Sequence, residues 1–298
     1  MRGWSVLPPA VEEAIEGIAS DRTSGASRLA RLALETMGLL ATEAKGRPDA
    51  TTLAEAAARI SEAQPAMAIV HNVAHLFARL VEEGHGPAAV LAEIRADLES
   101  ARERIARTFL KIAPERATIV TLSHSENVLE ALRVAHARGR VKRVYVLESR
   151  PQLEGRTLAA ALADGGVATT LVPDAGGPSL LAEATCVLIG ADAVLQDASV
   201  VNKIGSYALA LAATHHGKPT YVACEMMKFD ARYDAPSWPG TAAQDPNEVW
   251  DARPKNVEIL SRYFELTPGR LITTFVTERG TYAPDIVRTL LHQANAKS

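Results

Sequence analysis

Cysteine is scarce. Cys186 and Cys224 are the two present, far apart, with no CxxC partner and no histidine at metal-ligand spacing. That leaves no disulfide framework and no structural zinc site, and it fits a reducing, cytosolic setting. Aromatic residues make up 5% of the chain, few platforms on which nucleic-acid bases can stack. Neither sign of charge is in excess: 32 Lys and Arg against 35 Asp and Glu give a formal net charge of −3, too small a field to gather nucleic acid or anionic lipid. No apolar run reaches the roughly 18 residues needed to span a bilayer. The opening Met1-Arg2-Gly3-Trp4 lacks the basic stretch and apolar core of a signal peptide. A cytoplasmic protein is therefore expected, with neither nucleic acid nor membrane as its partner. Signature glycine loops are also missing. Neither GxxxxGK[ST] nor a GxGxxG following a strand occurs, which argues against a P-loop or a dinucleotide fold, and the GxSxG elbow of a serine hydrolase is absent.

What is present is a chain of 298 residues, 47% of them hydrophobic, enough for about two domains with ordinary cores. Its character changes near residue 113. From Pro8 to about Ile112 apolar residues recur at helical spacing, as in Leu29, Leu32, Met37 and Leu40, which predicts a helical domain over residues 1–112. Breaks are expected at Gly25, at Gly46-Arg47-Pro48, at Gln64-Pro65 and at Gly84-His85-Gly86-Pro87. Asp49 to Thr52 supply N-cap residues, and Glu93 to Leu110 form a long last helix. Over residues 113–298 short β-branched runs alternate with helical stretches. Strands are expected at Thr118–Thr121, Arg143–Leu147, Ala168–Val172, Cys186–Ile189, Thr220–Val222 and Leu271–Val276, and helices near Glu126–Ala137, Leu153–Leu162 and Ile204–His215. This alternation predicts an α/β fold, a doubly wound parallel sheet covered on both faces. Residues from about Phe229 to Ser261 lack periodicity and read as a long excursion before the last strand.

In such sheets functional groups gather beyond the C-terminal strand ends. The residues there are Ser123-His124-Ser125, Glu148-Ser149-Arg150-Pro151, Gly190-Ala191-Asp192 and Cys224-Glu225. Asp192 follows an apolar run and a Gly-Ala pair, a position for an acid or base, or for a carboxylate capping a loop or helix. Asn202-Lys203-Ile204-Gly205-Ser206 falls where the helix ending near His215 begins. Free amides there beside a lysine form a phosphate cradle, or else an N-capping Asn stands next to a solvated Lys. Arg150 can grip a phosphate bidentately or form a surface ion pair. His124 can act as a general base or be hydrogen-bonded in place. His71, His75, His215 and His216 have no metal-ligand companions and read as structural; neither a metal nor a cofactor is expected.

Taken together, Glu148-Ser149-Arg150-Pro151, Gly190-Ala191-Asp192, Asn202-Lys203-Ile204-Gly205 and Cys224-Glu225-Met226-Met227-Lys228-Phe229 resemble, in order and approximate spacing, the superfamily of the initiation factor 2B alpha, beta and delta subunits. That superfamily also contains methylthioribose-1-phosphate isomerase and ribose-1,5-bisphosphate isomerase. The likeness covers most of residues 115–230. It extends more faintly to Asp21-Arg22-Thr23-Ser24-Gly25-Ala26-Ser27 and to Phe275-Val276-Thr277-Glu278-Arg279-Gly280. The resemblance implies a helical N-terminal domain followed by a Rossmann-like domain, and a homo-oligomer, at least a dimer. In the isomerases it implies an aldose phosphate opened and converted to a ketose by a cysteine and an aspartate. On that basis Asp192 matches the aspartate, Asn202 and Lys203 the Asn-Lys pair, Arg150 a phosphate-contacting arginine, and Ser24, Gly25 and Ala26 the early substrate turn.

Two departures matter. Ser123 stands where ribose-1,5-bisphosphate isomerase has its cysteine, and Ser24 precedes Gly25 where the isomerases have arginine, with Arg22 the remaining substitute. A thiol with a pKa near 8.5 exchanges a proton at neutral pH; a serine hydroxyl does not without a strong activating base. The expectation is a protein that binds a phosphorylated sugar or nucleotide without the isomerase chemistry. Two alternatives stay open: an aldose–ketose isomerase using Asp192 with Ser123 or His124, and a subunit of a translation guanine-nucleotide exchange complex, for which Cys224 to Phe229 speak.

Overall fold

The computed structural model describes residues 7–21, 24–240 and 243–295. The chain divides into two compact units, residues 1–100 and 101–298. In the first unit, four helices and the start of a fifth are described: α1 (Pro9–Ser20), α2 (Ala26–Glu43), α3 (Ala50–Ala63), α4 (Ala68–Glu82) and α5 (Pro87–Ile112). Every break falls at an expected punctuation, because Gly, Pro and capping residues interrupt the helical apolar stripe there. Asp49 caps α3 by accepting a hydrogen bond from the Thr52 amide at 2.9 Å. Leu29, Met37, Leu53, Ile60, Val73 and Phe77 are fully buried, each burial stabilising the bundle by about 1.5–3 kcal/mol before the entropy of ordering is counted.

The second unit is built on a seven-stranded sheet. Its strands are β1 (Ala117–Leu122), β2 (Val141–Leu147), β3 (Thr169–Val172), β4 (Cys186–Ile189), β7 (Thr220–Ala223), β9 (Thr274–Thr277) and β10 (Gly280–Tyr282). The order is β10-β9-β7-β4-β1-β2-β3, parallel except for the β10 hairpin edge. Counted along this sheet alone, that is the doubly wound Rossmann order, with its switch point between β1 and β4. Alternate residues serve opposite faces. Ile119, Val144, Val146, Cys186 and Leu188 pack with α6 (Glu126–Ala137), α7 (Glu154–Asp164) and the end of α5. Val120, Leu122, Val187, Ile189 and Phe275 pack with α8 (Ser206–His215) and α9 (Pro284–Asn295). The period of two along each strand, with both faces covered, is why these runs are continuously apolar.

A small second sheet was not expected from the sequence. β5 (Ala193–Val194), β6 (Val200–Lys203) and β8 (Phe264–Thr267) pair antiparallel, with Asn202 opposite Glu265 and Lys203 opposite Phe264. Asn202 and Lys203 thus lie on a strand, and α8 begins three residues after Lys203, at Ser206. The strand is set by a partner more than sixty residues away in sequence, which local spacing does not reveal. The excursion after Phe229 contains a short turn of 3₁₀ helix at Pro246–Glu248 and otherwise irregular backbone among its described residues. No helix among the described residues is long and apolar enough to cross a membrane.

Candidate functional site

The ends of β1 and β2 are tied together through backbone held in the left-handed region. Ser123 has φ 60° and Ser149 φ 65°, conformations uncommon for non-glycine residues. The Ser123 amide donates to Ser149 Oγ at 2.7 Å, and that hydroxyl donates to the Leu147 carbonyl at 3.0 Å. Ser125 caps α6. His124 is half-buried, with Nε2 3.7 Å from Glu126 Oε1, beyond hydrogen-bond distance. Arg150 precedes a cis peptide to Pro151. Its exposed guanidinium donates to the carbonyl oxygens of Glu248 and Val249 at 3.4 and 3.2 Å. Among the described residues the partners of this guanidinium are thus neutral carbonyls of the excursion.

At the switch point the β1 and β4 ends touch. A Cβ on Gly190 would lie 2.9 Å from Ser125 Oγ and 3.9 Å from Asn202 Oδ1, so glycine is what lets the β4 end lie against the α6 cap and the Asn-Lys strand. Two residues on, Asp192 donates its amide to the Val201 carbonyl at 2.8 Å. Burial pushes its carboxyl above the ordinary aspartate range. Lys228 and Lys203 pull it down, and Glu154 and Glu225 push it up. The β7 end brings Lys228 and Glu225, both buried, with Nζ 3.2 Å from Oε2. Burial alone would raise the Glu225 carboxyl, but Lys228 and an Asn127 hydrogen bond outweigh it and hold it below the usual glutamate value. Lys228 is held above the usual lysine value: burial works against its charge, but Glu225 and Asp192 more than offset that. The Asn127 Oδ1 atom is buried without a hydrogen-bond partner. Such a cluster suits proton exchange by Asp192 and the holding of an anion by two lysines.

Lys203 is 3% exposed, which excludes the solvated lysine that the sequence left open. Its Nζ forms an ion pair with Glu154 and lies 4.8 Å from the Tyr263 ring centroid and 5.7 Å from that of Phe264. The Tyr263 hydroxyl donates to the Glu248 carboxylate, and burial together with that carboxylate pushes the phenol upward. The expected cradle of free amides at the start of α8 is corrected. Glu265 Oε1 accepts from the Gly205 amide at 2.7 Å and from the Tyr207 amide at 2.9 Å. A carboxylate of this chain therefore occupies the positive helix end. Asn202 Nδ2 donates to Ser206 Oγ at 2.9 Å, so it stabilises the same turn from within.

Ser24, Gly25 and Ala26 lie in the first unit. Gly25 is the N-cap of α2 in extended backbone, Ser24 donates its amide to Asp21 Oδ1 at 2.8 Å, and Ala26 is buried. Arg22 lies outside the described residues. Among the described residues no group of three His, Cys, Asp or Glu side chains is placed to hold a metal. Both cysteines are buried; burial pushes the Cys186 thiol up to about 12 and that of Cys224 further still. Two further charged residues of the site, Lys228 inside the Cys224–Phe229 motif and Glu154 in the first turn of α7, carry no sequence signal of their pairing with Glu225 and Lys203. An acid in a first helical turn is ordinary dipole chemistry.

Comparison with known proteins agrees with this architecture. The initiation factor 2 subunit family matches residues 22–284. A putative translation initiation factor eIF-2B subunit 2-like protein of Pyrococcus furiosus is 30% identical over 94% of this chain and 98% of its own. Methylthioribose-1-phosphate isomerase of Gemmatimonas aurantiaca is 32% identical over 78% of this chain and 72% of its own. Among solved structures, the Pyrococcus horikoshii OT3 translation initiation factor eIF-2B superposes with a TM-score of 0.80 at 28% identity, covering 93% of this chain and 98% of that one. With the parallel sheet, the Asn-Lys strand and the carboxylate at its switch point in one arrangement, the chain belongs to the initiation factor 2 subunit family.

Proposed function

We propose that the second unit binds a phosphorylated sugar or nucleotide beside Asp192, between the β1 and β4 ends, and does so without the aldose–ketose chemistry of its isomerase relatives. The observation that carries this reading is the convergence of two buried lysines, Lys203 and Lys228, on one carboxyl at the strand ends. Buried cations are retained at a desolvation cost and mark sites that meet anions. Glu154 and Glu225 balance them in the free protein. The Arg150 guanidinium, held among the described residues by neutral carbonyls, is the cation that a phosphate can recruit. A phosphate beside Asp192 favours the protonated carboxyl, so binding takes up a proton and weakens as pH rises.

Isomerisation needs a second group that exchanges protons near neutral pH. Ser123 has no such ionisation, Cys224 is sealed in the core with its thiol pushed up, and an isomerase would have to use His124, which lies half-buried beside Glu126. The test is calorimetric titration of the purified chain with ribose 1,5-bisphosphate, methylthioribose 1-phosphate and nucleoside monophosphates, followed by NMR for ketose. Binding of at least one, weakened roughly 10–100-fold by Lys203→Met, is expected. Failure of all to bind refutes the reading.

One observation favours a second reading, an isomerase: the raised Asp192 carboxyl is suited to act as general acid. Ketose formation abolished by Asp192→Asn would replace the binding-only reading with this one. A role in a translation complex, suggested by the name of the Pyrococcus furiosus relative, requires partner subunits. Light scattering that finds a stable homo-oligomer of the isolated chain argues against it.

A further inference from the structure

Asp174 opens the 3₁₀ turn that follows β3, Asp174–Gly176. Its two carboxylate oxygens serve two successive amides of the neighbouring strand end: Oδ1 accepts from Ser149 and Oδ2 from Arg150, each at 2.7 Å. The turn lies close against β2 at Gly177, where a Cβ would come within 2.6 Å of Leu147 Cδ2, so a side chain there would displace either Leu147 or the turn. Ser149 is fully buried and left-handed. Its carbonyl accepts from the Leu153 amide at 2.8 Å, and its hydroxyl accepts from the amide of Ser123, itself left-handed. One chain of bonds therefore runs from β3 through β2 to β1, and two of its three residues, Ser149 and Ser123, hold a conformation that L side chains rarely adopt unless their surroundings impose it.

We infer that Asp174 is a positioning residue that sets the Arg150 guanidinium and, through Ser149, the Ser123 hydroxyl toward the anion site. This rests on the ligand reading given above. Ionised carboxylate acceptors at both amides make the hold stronger than neutral acceptors would. Asp174→Asn keeps the shape but turns an N–H toward one of the two amides, so one bond is lost.

The experiment is a double-mutant cycle read by calorimetry, with inorganic phosphate and ribose 5-phosphate as probes. Asp174→Asn is expected to weaken binding about tenfold. In an Arg150→Ala background it should lose the part of its effect that Arg150 carries, leaving only the smaller Ser123 share, and in a Lys203→Met background it should keep its full effect. Equal effects in both backgrounds, the mark of a merely structural residue, overturn the inference. Hydrogen exchange at the Ser123 amide provides a readout that needs no ligand. Loss of protection in Asp174→Ala, which removes both acceptors, is expected, and unchanged protection overturns the inference. If the unmodified protein binds neither probe while the Ser123 amide responds, the ligand reading falls and the relay from Asp174 to Ser123 stands. Should the Asp174 variants not fold, Ser149→Ala breaks the chain at its middle link; a Ser123 amide that stays protected there overturns the relay.

Discussion

Lys228→Met isolates the electrostatics of the site. Lys228 and Glu225 are 4% and 5% exposed, and their charged atoms lie 3.2 Å apart. Attraction at that distance offsets desolvation only while both partners are present, and removing one leaves a buried carboxylate unpaired. The cost is about 3–5 kcal/mol. For a unit of this size that is a fall in Tm on the order of 10 °C. The sign with pH follows from the carboxyls. In the intact protein Glu225 is held below its ordinary value; its contribution is present above the unfolded pKa of about 4.3 and lost as pH falls through the depressed folded value. Without Lys228, burial is the dominant influence and the folded carboxyl rises above the unfolded one. Stability is then lost as pH rises. Asp192, which Lys228 also pulls down, moves the same way. The gap between wild type and variant should therefore widen from about pH 4 to pH 7. Urea denaturation followed by circular dichroism at several pH values measures it. The double variant Glu225→Gln/Lys228→Met should recover most of the loss, because no unpaired charge is left buried. A single-variant loss below about 1 kcal/mol, or one independent of pH, would refute the reasoning and mean that water reaches the pair.

Other outcomes follow from neighbouring contacts. Asp192→Asn should raise Tm at neutral pH relative to wild type: burial holds the folded carboxyl above its unfolded value, so stability is lost as pH rises through that window. An unchanged Tm difference between pH 5 and pH 8 would contradict this. Gly190→Ala places a methyl 2.9 Å from Ser125 Oγ and 3.0 Å from its Cβ; a loss of about 1–3 kcal/mol by denaturation, with weaker sugar-phosphate binding, is expected. Glu265→Ala uncaps α8 at both the Gly205 and Tyr207 amides and should cost about 1–2 kcal/mol; no loss would mean that solvent caps the helix equally well. Neither thiol should react with a disulfide reagent at pH 8 in the native protein, and both should react in denaturant, because Cys186 and Cys224 are buried with raised pKa values. Rapid native labelling of Cys224 would reopen it as a replacement for the family cysteine.

Local physics was enough for much of this molecule. The helix breaks at Gly25, Gly46 to Pro48, Gln64 and Gly84 to Pro87 were legible because backbone conformation at Gly, Pro and capping residues is decided within a few residues. The six parallel strands were legible because a strand buried on both faces reads as a short β-branched run. Ser123, Arg150 and Asp192 could be placed at strand ends by counting residues past each run. What counting could not supply was company. The Asn202-Lys203 segment reads locally as the start of a helix and is a strand, because Phe264 and Glu265 pair with it from across the fold. Glu265 likewise takes the helix amides that appeared free. Burial of Lys203, the pairing of Lys228 with Glu225 and the reach of Asp174 to two amides of a neighbouring strand are decisions of tertiary structure. The charge state and orientation of a side chain depend on which distant groups exclude water from it, and that information is spread along the whole chain.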